Sequence, residues 1–248
     1  MHLGCVGDQT APAVHGPGLY AWVEGEAYNL EDAKRVLRSR TPDDEGENFG
    51  RLLLVAYEAG QLDSFLAQID GQFSAVIYDA RKQKISLITD RYGMQMLYWH
   101  SNNGLFAWSS EVKAILALKG VNKALCETSL PCFMELGYLL GETTWFEHIR
   151  LTKPASVLEY DLSSGQSSHR FYWNWSCIEP STIPFDDAVE LLGQKFIAAV
   201  KSRFSLDEKI GVSLSGGLDS RAILAAVNHI YPQHRGYAYT FGMPNCED

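Results

Sequence analysis

Ser213-Leu214-Ser215-Gly216-Gly217-Leu218-Asp219-Ser220 decides how this chain is read. An apolar run, residues 209–214, leads into it with strand character, and residues 220–230 lead out with helical character. A strand, a glycine turn and a helix N-terminus together make an anion site. The glycines let the backbone approach an oxyanion, the free helix N–H groups point at it, and the macrodipole favours its charge. Ser215 and Ser220 add hydroxyl donors. No Gly-Lys-Ser/Thr follows, so the loop is not of the Walker type. Asp219 is a carboxylate where a phosphate would sit, which is repulsive unless a cation lies between; this makes it the candidate Mg²⁺ ligand. A lone Gly-Gly would read more simply as a turn capped by Ser and Asp. The whole string, set between strand and helix, favours the anion site.

Working outward, residues 236–241 read as a second strand. The helix over residues 220–230 is apolar nearly all round (Ala222, Ile223, Leu224, Ala225, Ala226, Val227), as expected when both faces are covered. Before the loop, residues 185–204 read as an amphipathic helix with Val189, Leu192, Phe196 and Val200 on one face and Asp186 and Asp187 at its start. Glu179-Pro180-Ser181-Thr182-Ile183-Pro184 is a linker by composition. The expected division is therefore 1–178, a linker at 179–185, and 186–248. The last of these opens a parallel, doubly wound α/β domain. The first reads as α+β with antiparallel hairpins. Residues 1–20 are expected to be loosely ordered, 20–23 a short strand, and 30–38 and 49–57 helices flanking an acidic loop. Strands are expected at 73–78 and 85–89, a hairpin at 97–108 turned at 101–104, a helix at 110–118, and strands at 156–160 and 168–172.

The 248 residues carry a net charge of −9 and no Lys/Arg run, which argues against nucleic acid as a partner. Hydrophobic residues make up 46% and charged residues 21%, the composition of an ordinary globular protein. No apolar stretch approaches the length of a membrane span, and no secretory signal is visible. The five cysteines (Cys5, Cys126, Cys132, Cys177, Cys246) form no C-x-x-C pair, and the histidines show no H-x-x-x-H spacing. Reduced thiols, a cytoplasmic location and no zinc site are expected.

The string Ser215–Ser220 resembles the PP-loop of the ATP pyrophosphatases, among them asparagine synthetase, β-lactam synthetase and GMP synthetase. Segments upstream resemble the class II glutaminase domain that precedes the ATP domain in asparagine synthetase: Glu24-Gly25-Glu26-Ala27-Tyr28-Asn29, Gly71-Gln72-Phe73 through Tyr78-Asp79, Asp90-Arg91-Tyr92-Gly93, Leu97-Tyr98 and Ser110-Glu111-Val112-Lys113-Ala114, in the family's order. The resemblance covers residues 20–248. It implies an α+β N-terminal-nucleophile-like αββα sandwich followed by a truncated α/β PP-loop domain, with ATP and Mg²⁺ as cofactors. The nucleotide contacts it implies are Leu214, Ser215, Gly216, Gly217, Leu218, Asp219 and Ser220, with the backbone of Thr240, Phe241 and Gly242 beside the adenosine half and Asp219 as the metal ligand.

The chain also departs from that pattern. The family's nucleophile is an N-terminal cysteine whose own α-amino group is the base; here Cys5 is internal, behind Met1 and His2. The family's Arg-Leu-Ser-Ile loop has no counterpart, Glu24 stands where Asn is expected, and Phe49 lies near the expected ligand Asp. A carboxylate at Glu24 would repel an oxyanion. No catalytic residue is assigned, and glutaminase activity is expected to be absent. The sequence stops before the family's second pyrophosphate motif and its lysine. The expected function is asparagine synthetase-like, AMP-forming amide-bond synthesis on an aspartate-like carboxylate, represented by its N-terminal half. The alternatives are a β-lactam synthetase or lasso-peptide cyclase-like enzyme, and a non-catalytic pseudoenzyme. The expected assembly is a homodimer, or a second chain that supplies the C-terminal half.

Overall fold

The computed structural model describes residues 11–37, 48–102, 104–206 and 210–242. Cys5, Cys246 and most of the acidic loop lie outside the described residues. The chain forms two compact units, 1–178 and 179–248.

The first unit is built on a six-stranded sheet. Its elements are β1 (Ala13–Val14), β2 (Leu19–Ala27), α1 (Leu30–Leu37), α2 (Phe49–Glu58), α3 (Leu62–Leu66), β3 (Gly71–Asp79) and β4 (Lys84–Thr89). The chain then leaves for β5 (Tyr98–Asn102), β6 (Leu105–Ser109), α4 (Val112–Leu116), α5 (Ser129–Leu136) and β7 (Arg150–Leu151), and returns as β8 (Ser156–Asp161) and β9 (Ser167–Phe171). The large sheet has the order β1-β2-β3-β4-β8-β9 and the small one β6-β5-β7; every pairing is antiparallel.

Side-chain alternation sorts the core into layers, because successive residues of a strand face opposite sides. Phe73, Ala75 and Ile77 of β3 join Leu52, Leu53, Phe65 and Leu37 of the helices in one buried cluster. Val76 and Tyr78 join Leu87, Leu158, Leu97 and Trp99 in a second cluster, between the sheets. Beyond the small sheet, Tyr98 and Leu105 pack with Ile115, Val121 and Ile149. The order helices, sheet, sheet, helix is the αββα sandwich. β3 is buried along most of both faces, which is why it reads as an almost continuous apolar run.

Three local expectations are corrected. Residues 13–20 are not loose: β1 pairs with β2, and Gly16 and Gly18 take the positive φ values (+64° and +79°) that the turn between them requires. The strand expected at 20–23 runs nine residues, because it pairs along the whole of β3. The β5–β6 ladder reaches Asn102↔Leu105, so the turn is shorter than the four residues expected, and Gly104 sits at φ +75°.

The second unit contains α6 (Phe185–Arg203), β10 (Gly211–Ser213), α7 (Leu218–Ile230) and β11 (Tyr237–Tyr239). β10 and β11 are parallel, in the register Ser213↔Tyr239, with α7 as the crossover. Both strands are three residues long, shorter than expected. Two strands alone give each backbone few ladder partners, although Leu214 N–H still donates to Tyr239 O at 2.8 Å beyond the last paired residue. α7 is apolar nearly all round, yet only Ala226 and Val227 are buried in it. No residue of α6 is buried, so its apolar face (Val189, Leu192, Phe196) is exposed.

Candidate phosphate-binding loop and the amidotransferase unit

The string at 213–220 folds as its composition dictates. Ser213 ends β10, Gly216 takes φ +74°, and Gly217 is the N-cap of α7 with extended backbone (φ −69°, ψ 163°). The helix therefore starts at Leu218, two residues before the expected start at Ser220. Gly217 takes the extended N-cap backbone that any residue can adopt, and glycine is among the residues favoured at that position. Leu218, Asp219 and Ser220 form the first helical turn, whose N–H groups have no intrahelical acceptor. The Gly217 cap supplies no side-chain acceptor for them.

The hydroxyls close the loop on itself. Ser215 N–H donates to Ser220 Oγ at 3.3 Å, the two Oγ atoms are 3.4 Å apart, and Ser220 Oγ donates to Gly217 O at 3.3 Å. Asp219 is exposed, and among the described residues it enters no ion pair. Arg221, which lies outside the expected contact set, donates Nε–H to Gly217 O at 3.2 Å and fixes a guanidinium at the loop.

Leu214 is half-buried and continues the ladder, while Thr240, Phe241 and Gly242 follow β11, exposed. The parallel register puts residues 214–217 and 240–242 at the same C-terminal edge of the sheet, where open α/β sheets bind ligands. The structure thus brings both groups of expected contacts to one edge. Loop, hydroxyls and helix start can hold a tetrahedral oxyanion. A separate cleft of about 90 Å³ in this unit, lined by Phe204, Val212, Leu224, Val227 and Tyr231 among others, shares no residue with the loop and is a gap in apolar packing.

In the first unit, Glu24 is exposed on β2 opposite Ser74. Gly25 beside it has φ +95°, and a Cβ there would lie 2.1 Å from Gln72 O, so only glycine fits. Phe49 is buried in the helix-side core, edge-on to Phe73 with ring centroids 4.7 Å apart. Asp90 is fully buried and accepts four backbone N–H groups: Phe73 at 3.2 Å, Tyr92 at 2.9 Å, Met94 at 3.2 Å and Gln95 at 3.1 Å. Composition alone did not single it out; an aspartate three residues before a glycine, at a strand end, is the turn signal that marks it.

The family model described as a glutamine amidotransferase domain matches residues 9–173. The chain belongs to the glutamine amidotransferase domain family. The asparagine synthase model matches residues 191–247 of this family member. Among curated proteins, the amidotransferase-domain chain is 30% identical over 221 residues to asparagine synthetase [glutamine-hydrolyzing] 3 of Bacillus subtilis, covering 88% of this chain and 35% of that protein. It is 27% identical over 219 residues to amidase chry2 of Gibberella zeae (87% and 32%). It is 26% identical over 229 residues to a putative asparagine synthetase of Methanocaldococcus jannaschii (90% and 43%). The chain spans roughly a third to two fifths of the length of these relatives. The resemblance to the asparagine synthetase family thus holds over both units. Among solved structures, the glutamine phosphoribosylpyrophosphate amidotransferase of B. subtilis, complexed with ADP and GMP, superposes with a TM-score of 0.45 at 13% identity, over 92% of this chain and 46% of that one.

Proposed function

We propose that the chain carries the nucleotide loop of an asparagine synthetase-like enzyme that makes an amide bond from an aspartate-like carboxylate with ATP, releasing AMP. The observation that carries this reading is the folded state of Ser215–Ser220: a glycine turn and a helix start with uncapped N–H donors, at the C-terminal edge of parallel strands. The residues fit the triphosphate. Gly216 and Gly217 keep the approach open, the N–H groups of Leu218, Asp219 and Ser220 face outward from the first turn, and the Ser215 and Ser220 hydroxyls orient the oxyanion. They also fit Mg²⁺, which binds through one or two carboxylates plus phosphate oxygens, a role for the exposed Asp219. When bound, ATP supplies the leaving group that activates the carboxylate. Leu214 and the backbone of Thr240, Phe241 and Gly242 border the adenosine half. In this reading the two parallel strands are the start of a doubly wound PP-loop sheet.

The amidotransferase unit serves in this proposal as a scaffold without glutaminase activity. Glu24 offers a carboxylate where an oxyanion would need a donor, and Phe49 is committed to the core. Isothermal titration of Mg·ATP into the chain tests the loop, with Gly217→Val as the control that fills the turn. Saturable binding lost at least tenfold in the variant is expected. Equal heats for both proteins would remove the assignment. Ammonia release from glutamine above buffer background would overturn the second half of the reading.

A further inference from the structure

A polar cavity of about 300 Å³ lies in the amidotransferase unit, between the two sheets, and none of the residues discussed above as nucleotide or glutaminase positions lines it. Its lining is Trp99 and Ser101 of β5, Glu147 and His148, Arg150 of β7, and Ser167 of β9. The volume is at the small end of the roughly 300–1,000 Å³ typical of small-molecule sites.

The lining carries one permanent cation and one carboxylate, and neither is firmly engaged. The Arg150 guanidinium is 4.0 Å from Glu142 and 5.9 Å from the centre of the Trp99 ring. Glu142 is closer to Lys153, at 3.3 Å. The Glu147 carboxylate is 3.8 Å from His148 Nε2. Side-chain exposures of 60% for Arg150 and 59% for Glu147 leave both free to meet a ligand. Trp99 forms an aromatic wall, and its buried Nε1 has no hydrogen-bond partner among the described residues; nor has the buried Nδ1 of His169, whose ring is 6.2 Å from that of Trp99. Burial lowers the pKa of His169, against the opposing pull of Glu142.

A site with one guanidinium, one carboxylate, two hydroxyls and an indole wall matches a molecule with both charges, and a simple anion would meet Glu147 as a repulsion. We propose that this cavity binds a small zwitterion, an α-amino acid, with its carboxylate on Arg150 and its ammonium on Glu147. Ser101 and Ser167 add hydroxyl contacts. The proposal does not depend on the nucleotide reading.

The test is nuclear magnetic resonance titration of the full chain, following the Trp99 indole signal, which is identified by its loss in Trp99→Phe. The probes are L-asparagine, acetate and methylammonium, each taken to about 10 mM, ten times a Kd of about 1 mM. A saturable shift with L-asparagine, absent with the two single-charge probes, is expected. Arg150→Gln and Glu147→Gln should each weaken it about tenfold, the loss of one charge-assisted hydrogen bond, and Arg150→Lys should lie between. Both side chains are largely exposed, so the variants should otherwise keep the wild-type spectrum. No shift with L-asparagine, an equal shift with acetate, or wild-type affinity in both charge variants would each overturn the proposal.

Discussion

Replacing Asp90 by Asn tests whether one buried carboxylate organises the turn that leads out of the main sheet. Oδ1 accepts the N–H groups of Tyr92 and Met94, and Oδ2 those of Phe73 and Gln95. Asparagine keeps one oxygen and turns the other into an NH₂ donor. Whichever way the amide is set, two N–H groups lose their acceptor and face a donor instead. Hydrogen bonds to charged groups contribute about 1.5–3 kcal/mol each, so two losses cost roughly 3–6 kcal/mol. That is a large part of the about 5–15 kcal/mol that stabilises a domain. For a unit of this size each kcal/mol lowers Tm by about 2–4 °C, giving a drop of roughly 6–24 °C. Thermal unfolding followed by near-ultraviolet circular dichroism, which reports the packed tryptophans, measures it. A drop below about 3 °C would refute the claim that these bonds carry stability, since it would leave under about 1.5 kcal/mol for the two that are lost.

Three further outcomes are expected. Gly25→Ala should destabilise the amidotransferase unit by about 2–5 kcal/mol, because it combines a left-handed residue with a clash against Gln72 O; an unchanged urea midpoint would show that the strands part without cost. Burial first, then the Asp79 carboxylate, pushes the Tyr57 pKa from 10.0 up to about 12. Its contribution to stability is therefore fully present below pH 10 and lost as pH rises through about 12. Tyr57→Phe should remove that part of the alkaline loss, and parallel urea midpoints of the two proteins across that range would contradict it. Limited proteolysis should cut first between Glu179 and Asp248 and leave a core ending near Trp175, because α6 buries no residue and α7 only Ala226 and Val227; full protection of that segment, read by mass spectrometry, would show otherwise.

The layered unit was legible in the sequence where local pattern and burial agree. The apolar runs of β3 and β4 and the hairpin signals at β5–β6 and β8–β9 mark elements that the structure contains. What escaped is what local pattern does not encode. α5 was not foreseen, since Pro131 reads as a breaker; it is tolerated there because Ser129 starts the helix and the proline falls in its first turn. α3 and β7 are too short to show a period. The spacing of Val189, Leu192 and Phe196 announces a helix correctly but says nothing about what covers it. At the loop, residue types located the glycine turn, yet the helix start was misplaced by two residues because Gly217, and not a side-chain cap, begins it. Asp90 stood in the family-like string Asp90–Gly93, but the four bonds it gathers were not legible there, because their donors are backbone groups.

The path of the chain between β4 and β8 has a consequence for how the family's length can vary. The main sheet is interrupted at Asp90 and resumes after Ala155, and these two residues are joined by a hydrogen bond from Ala155 N–H to Asp90 O at 2.9 Å. Thr89 Oγ1 also donates to the carbonyl of Lys153, and Tyr172 OH donates to Thr89 O at 2.7 Å. Ala155 itself holds φ +50°, the bend with which the chain turns back into the sheet. The small sheet and its helices are thus an excursion hung from a stitched neck. Lengthening a loop inside the excursion leaves the β4–β8 register alone, whereas a single residue added at the neck shifts it and exchanges the two faces of β8. Natural length variation should therefore collect within residues 110–147 and avoid 89–93 and 152–156.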